Sequence, residues 1–123
     1  MFLILSMNGK YRMSLDLWME SKECLTCGHI QSTDSLNYTY NVSPMWYSIF
    51  PHDKHMVHID GMTGIESLIK LNHALSELMK DRPRFIMLNP ENGWGSYDSF
   101  LGFIRNLAIL SAANPNFIWQ ASR

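Results

Sequence analysis

The sequence predicts an α+β domain of order β-β-α-α-β, a small antiparallel sheet of about three strands with two helices on one face. Three observations carry this. Residues 14–20 and 36–42 alternate apolar and polar side chains with a period of two, as half-buried strands do. Residues 63–79 and 97–111 repeat apolar side chains every three to four positions, the period of an amphipathic helix. Residues 116–122 then return to alternation, with Phe117, Trp119 and Ala121 against Ile118, Gln120 and Ser122.

The first strand sets Leu15, Leu17 and Met19 on one side and Ser14, Asp16 and Trp18 on the other. A tight turn, Glu23-Cys24-Leu25-Thr26-Cys27-Gly28-His29, leads to a return strand read over Ile30–Val42. In it Leu36, Tyr38, Tyr40 and Val42 oppose Asn37, Thr39 and Asn41. Ser43-Pro44 breaks that strand, and Met45 to Phe50 reads as a short helical turn. Pro51 to His58 is a loop holding His52, His55 and His58. Thr63 and Glu66 have the spacing of a capping box, in which each residue satisfies a free amide of the other at a helix start. Ile65, Leu68, Ile69, Leu71, Leu75, Leu78 and Met79 provide that helix with an apolar face, and Asp81-Arg82-Pro83 ends it. Arg84 to Leu88 adds a turn that sends Phe85 and Leu88 to the core.

The second long helix starts from the most distinctive stretch, Asn89-Pro90-Glu91-Asn92-Gly93-Trp94-Gly95-Ser96-Tyr97-Asp98. The glycines and Asn92 suit a sharp bend, because they reach left-handed backbone angles at little cost. Ser96 is the expected N-cap, and Asp98 suits the positive end of the helix dipole. Tyr97, Phe100, Leu101, Ile104, Leu107, Ala108 and Ser111 share one face, and Phe103, Ile109 and Leu110 widen it. Asn114-Pro115 stops the helix. The final strand is expected to pair beside the first.

At 123 residues the chain has the length of one domain. Residues 1–12 read as an N-terminal extension, or as sequence upstream of a second start at Met13, and 13–123 as the domain. Charged residues make up 17% and the net charge is −1, without the basic stripe of a nucleic-acid binder. No apolar run spans a bilayer and no signal-peptide core is present, so the expectation is a cytoplasmic protein. Sparse charge leaves neutral and apolar surface for a protein partner or for self-association.

Two groups of residues are candidate sites. The first lies between the return strand and the bend: Asn37, Thr39 and Asn41 on one side, Asn92, Trp94 and Tyr97 on the other. Amides at a helix start bind anions, so this is either a small-molecule or nucleotide cradle or a buried corner that anchors Trp94 and Tyr97. The second is the Cys24-x-x-Cys27-Gly28 knuckle. A closed zinc site needs four ligands; the other two would come from His29, His52, His55 or His58, and His52-x-x-His55 and His55-x-x-His58 both have usable spacing, with His52 and His55 the pair favoured here. The other readings are a metal-free turn or, less in keeping with a hairpin, a redox pair. No nucleophile has a partner visible in sequence, which favours a binding protein over an enzyme. Trp18, Trp46, Tyr47, Trp119 and nine methionines offer material for an adaptable contact surface, although more than half of these side chains belong in a core.

The motifs also carry a resemblance. Met13-Ser-Leu-Asp-Leu, Asn37-Tyr-Thr-Tyr-Asn41-Val with Pro44-Met45-Trp46, Leu88-Asn-Pro-Glu-Asn-Gly-Trp-Gly-Ser-Tyr-Asp98 with Phe100 and Phe103, Asn114-Pro115 and Ala121-Ser122-Arg123 resemble a family of small, mostly uncharacterised proteins encoded by phages, prophages and bacteria. The Asn-Gly-Trp-Gly-x-Tyr-Asp element is its most specific part. Many relatives carry His where this chain has Tyr40. The resemblance implies an α+β domain in a mobile-element setting and no established activity. The reading is therefore a phage-type accessory protein that binds a host or phage protein, with counter-defence inhibition as one form. The alternative is the small-molecule or nucleotide site, or a small enzyme built on it.

Overall fold

A computed structural model of the protein describes residues 14–53, 58–93 and 95–122. The extension expected over 1–12, together with Trp94 and His55, lies outside them. Strands β1 (Ser14–Glu20), β2 (Leu36–Thr39) and β3 (Ile118–Ser122) form an antiparallel sheet in the order β2-β1-β3. The central strand buries Leu15, Leu17 and Met19, as its alternation predicts. β3 runs beside it from Glu20↔Ile118 to Asp16↔Ser122.

Two long helices, α2 (Gly64–Lys80) and α4 (Tyr97–Ala113), cover the apolar face of the sheet. They run antiparallel. The Tyr97 hydroxyl donates to the Leu78 carbonyl at one end (2.6 Å), and the Gly64 backbone meets the Ser111 and Asn114 carbonyls at the other. Thr63 and Glu66 form the predicted capping box, and Ser96 forms a second one with Ser99.

The return strand is shorter than its sequence suggests. Instead of Ile30–Val42, the ladder holds Leu36–Thr39 and one bridge, Glu20↔Ser32. Leu17 faces Leu36, so an unbroken register would set Glu20 opposite Thr33. The slip to Ser32 is one extra residue on the returning side, a β-bulge. Its cause is Thr33, whose hydroxyl takes the Met19 N–H (2.9 Å) while its own N–H bonds the Met19 carbonyl (2.9 Å). At the other end the Asn41 N–H turns to the Thr39 hydroxyl (3.1 Å), a local bond that competes with the ladder. Tyr40–Val42 tightens into a 3-10 turn and runs into α1 (Ser43–Ile49). Pro44 sits in the first turn of α1, where a missing N–H leaves nothing unpaired. It opens a helix there rather than only ending a strand. α3 (Arg82–Ile86) buries Phe85 as expected.

Where α2, α4 and β3 meet, Trp119 is fully buried and its indole N–H is shared between the Ser67 and Ser111 hydroxyls (3.0 Å each). Ser67 donates to the Gly64 carbonyl (3.0 Å), which leaves Ser111 to donate to Ser67 (3.0 Å). Every polar atom of this buried knot has a partner, as a low-dielectric interior demands. On the far side of α2, Asp53 accepts from the Trp46 indole (2.7 Å) and pairs with Lys70 (3.1 Å), whose ammonium lies 4.3 Å from the Phe50 ring centroid.

Candidate functional site

The strand and the bend do meet. Asn92 donates to the Asn41 side-chain oxygen (3.1 Å), and the Asn41 amide donates to the Thr39 hydroxyl (2.6 Å). Gly95 lies against the same segment at φ +96°. A Cβ there would fall 2.7 Å from Val42 and 3.0 Å from Thr39, so the bend needs glycine for both angle and space. The Tyr38 hydroxyl bonds Ser99, and its ring stacks on Phe103 with centroids 4.7 Å apart. These contacts dock the start of α4 onto the end of β2.

The groups gathered at this seam serve one another. The Tyr97 N–H is held by the Asn89 side chain (2.8 Å) and the Ser99 N–H by Ser96 (3.2 Å), so these helix-start amides are already used. The exposed Asp98 carboxylate adds negative charge in the same turn. Tyr97 is buried, with its ring against Phe85. Asn37 stands apart on the exposed side, bonded to Asp16 (2.8 Å). Of the six residues singled out for a ligand, five thus bond within the protein, and Trp94 lies outside the described residues.

The knuckle is a separate place. Cys24 and Cys27 are free, exposed thiols in the turn that follows β1. The Gly28 N–H closes the turn on the Cys24 carbonyl (2.8 Å), and the Cys24 N–H bonds the His29 carbonyl (2.9 Å). Gly28 takes φ +73°. Hydrogen bonds from the Cys27 amide and thiol, and from the Thr26 and Gly28 amides, lower the Cys24 pKa to about 7. Among the described residues no group of three or more His, Cys, Asp or Glu is placed to hold a metal. His52 is exposed in a turn of its own, and His55 lies outside the described residues.

A third surface is not where sequence periodicity puts it. Ile65, Ile69 and Met79 belong to the apolar face expected of α2, yet they are 55%, 72% and 66% exposed. The buried row is instead Gly64, Ser67, Leu71, Ala74 and Leu78. The core selects small side chains because Ser67 must reach Trp119 and the Gly64 backbone must touch the end of α4. The signal was present: seven apolar side chains over Ile65–Met79 are more than one helix face needs. The outward row runs Ile65, Ile69, Asn72, Ser76, Met79, spaced four, three, four and three residues apart, and all five are exposed. On α4, Ile109 is exposed as well. The aromatic contact surface is corrected in turn. Trp46 and Trp119 are fully buried, Trp18 and Tyr47 are half-buried, and Trp18 bonds Glu20 (3.0 Å).

No family model, curated protein or solved structure matches this chain.

Proposed function

We propose that this is a small phage-type accessory protein that acts by binding another protein, of host or phage origin, through the outer face of α2. Counter-defence inhibition of a host protein is one specific form of that activity. The observation that carries the reading is the outward row Ile65-Ile69-Asn72-Ser76-Met79, whose heptad-like spacing matches what an amphipathic partner helix or groove engages. Exposed aliphatic and methionine side chains in one line are uncommon on a chain that has buried two tryptophans and three phenylalanines elsewhere. The small-molecule or nucleotide alternative draws less support, because the amides and hydroxyls at the Thr39–Asn92 seam are bonded to one another. No helix among the described residues is long and apolar enough to cross a membrane.

The test is site-specific photo-crosslinking in bacterial cells. A photoreactive residue at position 69 should give one discrete adduct with a second protein, lost on Ile65→Glu. The same residue at position 120, on the sheet, should give none. Equal labelling from both positions, adducts of the chain with itself, or no adduct from position 69 would each remove this reading.

A further inference from the structure

We propose that Asn92 is a self-modification site: in the folded protein its side-chain amide is lost to attack by the Gly93 main-chain nitrogen, and the isoaspartate that results loosens the seam between the bend and β2. Asparagine is among the chemically labile residues of a protein, and a following glycine leaves its nitrogen open to approach because it carries no Cβ. Only Asn8 and Asn92 precede a glycine in this chain. Asn92 and Gly93 are both exposed. Gly93 takes φ +77°, and a Cβ there would meet nothing within 4 Å beyond its chain neighbours, so there is room for a ring to form. Its N–H reaches the Pro90 carbonyl at 3.4 Å, longer than an ordinary amide hydrogen bond and a weak restraint on the nitrogen. The neighbouring asparagines are not set up in this way. Asn89 precedes a proline, which has no N–H to give up, and Asn41 precedes the buried, β-branched Val42.

The step balances with water alone. The Gly93 N–H gives its proton to solvent base, the nitrogen bonds the Asn92 Cγ, and the Cγ–Nδ2 bond breaks to release ammonia. Water then opens the five-membered ring, and nothing is oxidised or reduced. Attack at the side-chain carbonyl leaves aspartate. Attack at the main-chain carbonyl leaves isoaspartate, in which the chain runs on through Cγ. Both products remove the amide that donates to the Asn41 side-chain oxygen (3.1 Å). Their effects differ. Aspartate keeps the main chain as it was, and the Asn41 amide, turned over, can donate to the new carboxylate. Isoaspartate inserts an extra carbon between Asn92 and Gly93, just ahead of Gly95. A Cβ at Gly95 would already fall 2.7 Å from Val42 and 3.0 Å from Thr39, so a bend packed this closely has no slack for added length. This seam is distinct from the outer face of α2, and the reaction needs no partner there.

The experiment ages the full chain in mildly alkaline buffer, folded in one arm and in guanidinium in the other. Conversion at each asparagine is read by peptide mapping with mass detection, and isoaspartate by enzymatic methylation of its free main-chain carboxyl. The folded chain should lose the Asn92 amide at no less than half the rate of the denatured chain, with Asn41 and Asn89 intact. The isoaspartate form, separated by ion exchange, should unfold at a lower urea midpoint than the parent, whereas Asn92→Asp should unfold close to it. Asn92→Gln, whose longer side chain closes a ring slowly, should show no conversion at position 92. If that variant fails to fold, the two arms of the parent carry the test by themselves. A folded-state rate below half of the denatured one would mean that the fold shields the amide and would overturn the site. An isoaspartate form with the parent's midpoint would overturn the effect on the seam.

Discussion

The Trp119 knot and the Cys24–Cys27 turn are both stitched from short hydrogen bonds, and they serve opposite ends. In the knot, an indole N–H, two hydroxyls and a carbonyl satisfy one another out of reach of water. In the turn, the Gly28 N–H and the Cys24 N–H close the backbone on the Cys24 and His29 carbonyls, while the Cys24 thiol, its pKa lowered, and the Leu25 side chain stay exposed. Hydrogen bonds that close on themselves hold elements together. Hydrogen bonds that close an exposed turn shape its backbone and leave its side chains to the solvent. The stabilities of variants should separate the two regions.

The largest effect should come from Trp119→Ala. Losing a fully buried indole costs about 3–5 kcal/mol, and the Ser67 and Ser111 hydroxyls lose their donor. Urea unfolding should show a much lower midpoint; a shift within the error of the parent would mean that the knot does not hold the helices to β3. Gly64→Ala comes next. Alanine normally favours a helix by about 1 kcal/mol over glycine, but here its Cβ would fall 2.3 Å from the Asn114 carbonyl oxygen and 2.5 Å from that of Ser111. Both obstacles are backbone, so the net change should be destabilising by roughly 1–3 kcal/mol. A more stable Gly64→Ala variant would contradict the close approach of α2 to the end of α4.

Ser111→Ala should cost about 1 kcal/mol, because Ser67 still accepts from the indole. At the turn, Cys24→Ser should leave the urea midpoint within the error of the parent, since the side chain is exposed. Its chemistry should show itself in pH dependence instead. With metal chelated, the rate of alkylation at Cys24 follows the thiolate. A pKa lowered from the ordinary 9.0 to about 7 means that the rate climbs through pH 7 and levels off before pH 9. In denaturant the climb should move back toward the ordinary value. A folded-state profile still rising steeply at pH 9 would break the contrast between the two regions.

Much of this frame can be read in the sequence because local rules decide it. Thr63 and Glu66, Ser96 and Asn114-Pro115 mark helix ends through backbone chemistry that needs no tertiary information. The alternation of Ser14–Glu20 is that of a central strand with one buried face. The departures arise where a side chain or a distant element decides. Thr33 replaces a backbone acceptor and inserts the bulge, and Thr39 draws Asn41 out of the ladder. On α2 the choice between two apolar rows is made by Trp119, which lies 52 residues along the chain from Ser67. Periodicity along α2 alone could not make that choice. Of the candidate site residues, the approach of Asn41 to Asn92 is anticipated by the sequence; on α2 the surplus of apolar side chains is visible there too, but not that Ile65, Ile69 and Met79 are the ones left outside.

The central place of β1 has a bearing on how the molecule is made. Its partner β3 joins it across nearly a hundred residues, Glu20 to Ile118. During synthesis on the ribosome the first hairpin and α2 emerge well before that partner, and loop closure of this span is slow compared with local pairing. Until it happens, one edge of β1 is open and the hydroxyls of Ser67 and Ser111 await their indole. A nascent chain halted before Ile118 should therefore be readily degraded, so protease resistance should arise late and in a single step.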